Sequence, residues 1–233
     1  MGVAGRVDVD AVIRDIDAAF SAMPAGSENV VAAPDYIGGV AARRQTGSSQ
    51  THVVLGYPIP SLTEDYYAGL VAAAVFGEGM SSPLMDELRE RRGLVYYAAC
   101  SADISDLCGQ FVIEASMAPQ HLNEFFQQVS RMLIEHAEAV HPEALERACN
   151  QIEVRNQRNY EKPFRRLEDA AQDLWIYGRV RIREEVASHV NAVTSQHARA
   201  AFERMLSNNG AVAIAGQVRK FQVEDLPTLI RPD

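Results

Sequence analysis

Gly77-Glu78-Gly79-Met80-Ser81-Ser82-Pro83-Leu84, followed after Met85-Asp86 by Glu87-Leu88-Arg89-Glu90-Arg91-Arg92-Gly93-Leu94-Val95-Tyr96-Tyr97, is the densest stretch of local signals in the chain. It begins as a glycine-rich loop. Ser82 is placed to cap a helix and Pro83 to occupy its first position, where a missing N–H costs nothing. Leu84, Met85 and Leu88 give that helix an apolar stripe, and Gly93 fits the residue just beyond its end, where a positive φ is needed. A strand then begins at Val95. The Arg-rich turn is accounted for by a solvated helix face whose basic residues complement the helix dipole. A functional reading is also open. Arg89 and Tyr96 flank the chain reversal, so a guanidinium fork and a phenol hydroxyl can converge on one ligand, such as a peptide carbonyl or a developing oxyanion.

Working outward, the pattern alternates between strands and helices. Thr51 to Pro58 is β-branched and ends at a proline, which cannot donate to a sheet ladder. Ser61 or Thr63 can open a helix running through Phe76, with Tyr67, Leu70, Val71 and Val75 as its apolar positions. Downstream, Val95–Ser101 and Gln110–Ser116 read as a strand pair joined by a turn over 103–109. Helical spacing then covers Leu122 to about Ala139, Pro142 to beyond Tyr160, Arg165–Tyr177, Glu184–Val190 and Ser195–Leu206. Ala211–Gly216 reads as a last strand. This order predicts an α+β fold with a mostly antiparallel sheet and helices packed on one face. Upstream, the chain opens on a short strand end and a helix over Val12–Phe20, capped by Asp8 or Asp10. Residues 24–39, rich in Pro and Gly, read as an extended linker. Val3-Ala4-Gly5-Arg6-Val7 echoes Ile214-Ala215-Gly216-Gln217-Val218 at a spacing of 211 residues, which suggests duplication of a domain-sized unit.

Composition narrows the function classes. The 233 residues are 47% hydrophobic and 23% charged, an ordinary globular mixture. A net charge of −9 argues against a nucleic-acid binder that relies on a general basic surface. The three cysteines, Cys100, Cys108 and Cys149, cannot all pair and form no CxxC, so a disulfide scaffold is excluded and a reducing compartment is the default. Cys100 and Cys149 read as buried small hydrophobes. No apolar run is long enough to span a bilayer, and no basic segment followed by an apolar one marks a signal peptide, so a soluble, cytoplasmic protein is the default expectation. The six histidines, at 52, 121, 136, 141, 189 and 197, include no HxxEH or HExxH, and Glu135 beside His136 reads as a solvated helix face. GxSxG, a phosphate loop and a full dinucleotide fingerprint are also absent.

The Gly77–Leu84 and Glu87–Tyr96 segments resemble the C-terminal half of the M16 zinc metallopeptidases, which include pitrilysin, insulin-degrading and mitochondrial processing peptidases. Gln50–Tyr57 resembles the first strand of that half, Leu174–Arg179 a helix end, and Val212–Gly216 its closing strand. Val3–Asp8 resembles the closing strand and helix start of the preceding, zinc-bearing half. The resemblance implies a metallohydrolase fold of the LuxS and mitochondrial-processing-peptidase kind, here its C-terminal repeat unit. It implies residues 1–26 as the end of a preceding homologous domain, 27–45 as linker, 46–222 as the C-terminal, substrate-binding domain, and 223–233 as a tail. It assigns substrate contact to Arg89 and Tyr96, with Gly77, Gly79, Ser81 and Ser82 in a glycine-rich loop near substrate entry. No metal ligand is expected in this chain. Zinc and its water are expected in a homologous partner domain or subunit, so the chain by itself is expected to be inactive. The peptide substrate is the other expected partner, and self-association through the domain interface is a further expectation. The alternative is an inactive M16 paralogue serving as a structural or interaction subunit. Tyr97 beside Tyr96 leaves two candidates for the site tyrosine, since adjacent strand residues point to opposite faces.

Overall fold

The computed structural model describes residues 1–27 and 29–218. The tail placed at 223–233 and the last residues of the 46–222 domain lie outside them. Five strands form one sheet: β1 (Gly39–Arg44), β2 (Thr51–Ile59), β3 (Val95–Ile104), β4 (Gly109–Met117) and β5 (Ala211–Gly216). Their order is β1-β5-β2-β4-β3, with β1 parallel to β5 and every other pair antiparallel. The fold is the mixed α+β class that the element order predicts. Eight α-helices are seen among the described residues: α1 (Val9–Phe20), α2 (Tyr67–Gly77), α3 (Pro83–Met85), α4 (Leu122–Glu138), α5 (Pro142–Tyr160), α6 (Pro163–Tyr177), α7 (Arg183–Asn191) and α8 (Ser195–Leu206).

The core lies between the sheet and α2, α4 and α8. Tyr57, Phe76, Phe111, Phe125 and Phe202 are among its largest fully buried side chains. Phe76, Phe111 and Phe202 meet edge-on or tilted at centroid distances of 5.7–6.0 Å, the offset geometry that ring quadrupoles favour. Helix α2 is the spine of this layer. Seven consecutive residues from Val71 to Gly77 are buried, so α2 shows no polar face. It starts at Tyr67, later than Ser61 or Thr63 would place it. Ser61 instead closes its own turn, its N–H and hydroxyl both donating to the Glu64 carboxylate at 3.0 and 3.1 Å. Pro58 lies inside β2 rather than ending it, because β5 pairs only as far as Gly56 and leaves that side of Pro58 without a ladder to satisfy.

Two features of the N-terminal region depart from the sequence pattern. Residues 39–44, at the end of the stretch read as linker, form the edge strand β1. The strand is short and mostly exposed, so its apolar alternation is faint, and its pairing is set by register with Ala211–Gly216. Tyr36 holds the approach to it, its hydroxyl lying 2.9 Å from the Gly56 carbonyl and 2.8 Å from that of Asn209. Residues 3–7 are not a strand, although 211–216 is; the echo is one of sequence without matching conformation. A strand exists only where a partner edge supplies its hydrogen bonds. Asp8 caps α1 by accepting from the Ala11 N–H at 3.1 Å.

Candidate functional site

The Gly77–Tyr97 segment connects the end of α2 to the edge strand β3. Gly77 is forced by packing. A Cβ there would lie 2.4 Å from the Cys100 Cβ on β3, so only glycine lets the helix end approach the sheet this closely. Gly79 has a φ of +89°, the left-handed side that glycine occupies without strain. Ser82 caps the next helix as expected, accepting from the Met85 N–H at 3.3 Å, with Pro83 at the first helical position. Of the four loop candidates, Gly77 and Ser82 are buried and Gly79 and Ser81 are exposed. The accessible part of the loop is Gly79-Met80-Ser81, with Met80 at its tip.

Helix α5 holds this loop, which the local motif does not reveal. Gln151 donates to the Glu78 carbonyl at 3.2 Å, Arg155 pairs with the Glu78 carboxylate at 2.5 Å, and Arg147 donates to the Val75 carbonyl at 3.2 Å. The i, i+4, i+8 spacing of Arg147, Gln151 and Arg155 puts them on one helix face, and that polar stripe is the signal that could have found them.

After α3 the chain widens into a π-helical stretch over Asp86–Arg91. Gly93, with φ +63°, closes it, its N–H donating to the Arg89 carbonyl at 3.0 Å and the Leu94 N–H reaching the Leu88 carbonyl at 2.8 Å. Buried Leu84, Met85, Leu88 and Leu94 anchor the turn from below. The charged face is therefore rigidly presented, and its arginines differ. Arg91 pairs with Asp86 at 2.8 Å; Arg92 pairs with Glu87 at 2.7 Å, and so does Arg131 from α4. The Arg92 hydrogen bond holds the Glu87 carboxyl below its usual range against the opposing effect of desolvation, with Arg131 and Arg91 adding to it. Arg89 has only its neighbour Glu90, at 3.8 Å, and its side chain is 43% exposed. It is the arginine of this run left without a carboxylate at hydrogen-bonding distance among the described residues.

A β-bulge sets the two tyrosines apart. Val95 pairs with Met117 and Tyr97 with Ser116, so Tyr96 is the extra residue opposite no partner. Strict alternation fails here, and Tyr96 and Tyr97 are both exposed, at 56% and 47%. Register continues from Tyr97 through Ser116 to His52, which places Tyr97 in a row on the sheet face away from the helices. Tyr96 sits alone in the bulge beside the reversal. It has no side-chain hydrogen bond among the described residues, and neither a hydrogen bond nor a cation–π contact joins it to Arg89.

The metal and thiol chemistry is quiet. Among the described residues no three His, Cys, Asp or Glu side chains are grouped to hold a metal, so these residues do not fit a zinc site. His136 is a packed histidine, its Nδ1 2.7 Å from the Met132 carbonyl and its ring edge-on to Phe76; its neighbour Glu135 is a surface group paired with Arg131. Burial pushes the Cys100 thiol well above its ordinary range, which keeps it protonated and unreactive. Cys149 is also buried, while Cys108 is exposed.

Residues 1–152 match the family described as peptidase M16 inactive domain. The chain belongs to the M16 peptidase family. An uncharacterised zinc protease of Rickettsia bellii is 27% identical over 218 residues, covering 93% of this chain and 53% of that protein. The mitochondrial-processing peptidase subunit alpha of Caenorhabditis elegans is 26% identical over 191 residues, covering 77% of this chain and 37% of the subunit. A solved M16 inactive domain from Pseudomonas fluorescens superposes with a TM-score of 0.74 at 19% identity, over 91% of this chain and 51% of that one. The chain thus spans about half the length of the Rickettsia zinc proteases it matches. No helix among the described residues is long and apolar enough to cross a membrane.

Proposed function

We propose that this chain is the substrate-binding half of an M16 zinc metalloendopeptidase, in which Arg89 and Tyr96 hold the peptide backbone beside a zinc site supplied by another domain or subunit. The observation that carries this reading is the selective release of one arginine. Arg91 and Arg92 are tied to close carboxylates, whereas Arg89 has only Glu90, at 3.8 Å, and Tyr96, at the start of the strand after the same turn, sits in the bulge opposite no strand partner. A guanidinium and a phenol at that reversal can donate to a peptide carbonyl and orient it, and donors already in place stabilise negative charge as it develops on the oxygen. The Gly79–Ser81 tip, steadied through Glu78, then borders the path of the peptide. In the same reading residues 1–26 belong to the end of a preceding homologous domain, in keeping with an α1 that buries none of its residues here.

The test reconstitutes the chain with its zinc-bearing half and follows cleavage of a quenched fluorescent peptide. Arg89→Ala and Tyr96→Phe are expected to lower kcat/KM by about a hundredfold and tenfold, as loss of a charged and of a neutral donor to the reacting carbonyl implies. Arg91→Ala should leave turnover unchanged. Equal turnover in all three removes the assigned roles. The second reading, a structural or interaction subunit, is favoured by a different observation. Helix α6 exposes Phe164, Leu174 and Trp175, at 67%, 55% and 82%, along one apolar face of a kind that partners cover. A complex that assembles through this chain and cleaves equally well after Arg89→Ala would support it.

A further inference from the structure

A cleft of about 620 Å³ opens between α2, the end of β3, α5, α6 and α7, with Arg155, which also holds Glu78, in its lining. That volume falls in the range of small-molecule sites. Its inner lining is apolar: Leu62, Leu70, Ile104 and Val186, with the Tyr66 and Tyr67 rings stacked at 4.2 Å. The charged groups divide into those already engaged and those that are not. Asp173 and Arg181 are mutually satisfied, with the guanidinium donating to the carboxylate at 2.8 and 3.0 Å and to both tyrosine hydroxyls at 3.0 and 3.1 Å. Arg155 is held by Glu78.

Four charges remain. Arg166 lies over the Tyr160 ring, 4.7 Å from its centroid, which leaves its N–H edges free, and Arg183 donates to the neutral amide of Gln157. Neither has a carboxylate within ion-pair distance among the described residues, and neither Asp169 nor Glu153 has a cation there. Asp169 lies at the exposed rim, where partial desolvation, then the nearby Asp173 and Glu168 carboxylates, push its carboxyl up, only partly offset by Arg165 and Arg181. A cation delivered beside Asp169 would relieve that. Two guanidiniums and two carboxylates, unpaired with one another, stand at the solvent-facing rim of an apolar interior and match a ligand that carries both charges on an apolar body.

We propose that this cleft is a separate ligand site for an apolar amino acid or dipeptide in its zwitterionic form. The carboxylate would accept from Arg166 and Arg183, the ammonium would face Asp169 and Glu153, and the side chain would rest against Leu62, Leu70 and Tyr66. The site needs no zinc and no second half, so it stands or falls independently of the Arg89 and Tyr96 roles.

Calorimetric titration of the full chain tests it, with leucine, leucyl-leucine and the doubly capped N-acetyl-leucyl-leucinamide as probes. Saturable binding of leucine or leucyl-leucine is expected, and binding about tenfold weaker or more for the capped form, as loss of charged hydrogen bonds implies. The better binder of the two uncapped probes distinguishes a single residue from a dipeptide. Arg166→Gln with Arg183→Gln, and separately Asp169→Asn, should each weaken it about tenfold while the melting temperature is kept. No saturation by either uncapped probe at millimolar concentration overturns the proposal. So does equal binding of the capped form, which decides the matter on the wild-type chain even if a variant misfolds.

Discussion

Helices α2 and α6 are opposite solutions to being a helix in the same domain. Helix α2 is buried from Val71 to Gly77, and the Tyr67 hydroxyl at its first turn is its one polar side-chain group. Helix α6 buries a single residue, Asp173, and turns Phe164, Leu174 and Trp175 to solvent. Packing holds α2, whereas specific polar contacts hold α6: the Asp173–Arg181 pair and the Tyr177 hydroxyl donating to the Leu62 carbonyl at 2.8 Å. The difference shows that apolar content alone does not decide burial. A helix is buried by what lies on its other side, and no described residues cover Phe164, Leu174 and Trp175 of α6.

The largest effect should come from the centre. Phe76→Ala is expected to cost about 3–5 kcal/mol through lost burial and a residual cavity, while Trp175→Ser should change stability by less than about 0.5 kcal/mol. Urea unfolding of the two variants measures both, and equal losses would break the contrast. Next, Asp173→Ala strands Arg181, whose side chain is only 15% exposed, and should cost about 3 kcal/mol. Hydrogen exchange should rise first over residues 163–182, and a rise spread evenly over α2 as well would mean that α6 is not a separately held element.

A pH effect belongs to the centre too. Burial lowers the His136 pKa below its ordinary 6.5, with the Met132 carbonyl and Glu135 opposing and His141 adding to the shift. Below that value the unfolded chain takes up the proton more readily than the folded one, so stability should fall as pH drops from about 6.5. Thermal melts at descending pH should show the fall, and His136→Gln should flatten it. The smallest effect concerns the surface arginines. Arg92→Ala should cost about 0.5–1 kcal/mol and Arg89→Ala close to nothing, as measured by urea midpoint, because only Arg92 has a close carboxylate partner.

Much of the site was legible locally. Ser82, Pro83 and Gly93 each have a conformational job that a few neighbouring residues specify, and all three do it. The helix and strand order was legible for the same reason, since periodicity is a property of short windows. What escaped depended on partners distant in sequence. Strand β1 is visible only beside β5, and the anchors of the glycine loop lie on α5, about seventy residues downstream of Glu78.

The sequence by itself determined the element order, the caps of the key turn, the α+β class and the segments that resemble M16 peptidases. Tertiary structure alone decided which arginine is left without a close carboxylate and which tyrosine stands apart. Arg89, Arg91 and Arg92 are chemically equivalent as letters. They differ because Asp86 and Glu87 reach two of them, and Arg131 arrives from another helix to share Glu87. Tyr96 and Tyr97 likewise differ only through the register of β3 on β4, where one extra residue breaks the alternation. Electrostatic pairing and strand register are long-range properties, set by which groups the fold brings within a few ångströms of one another.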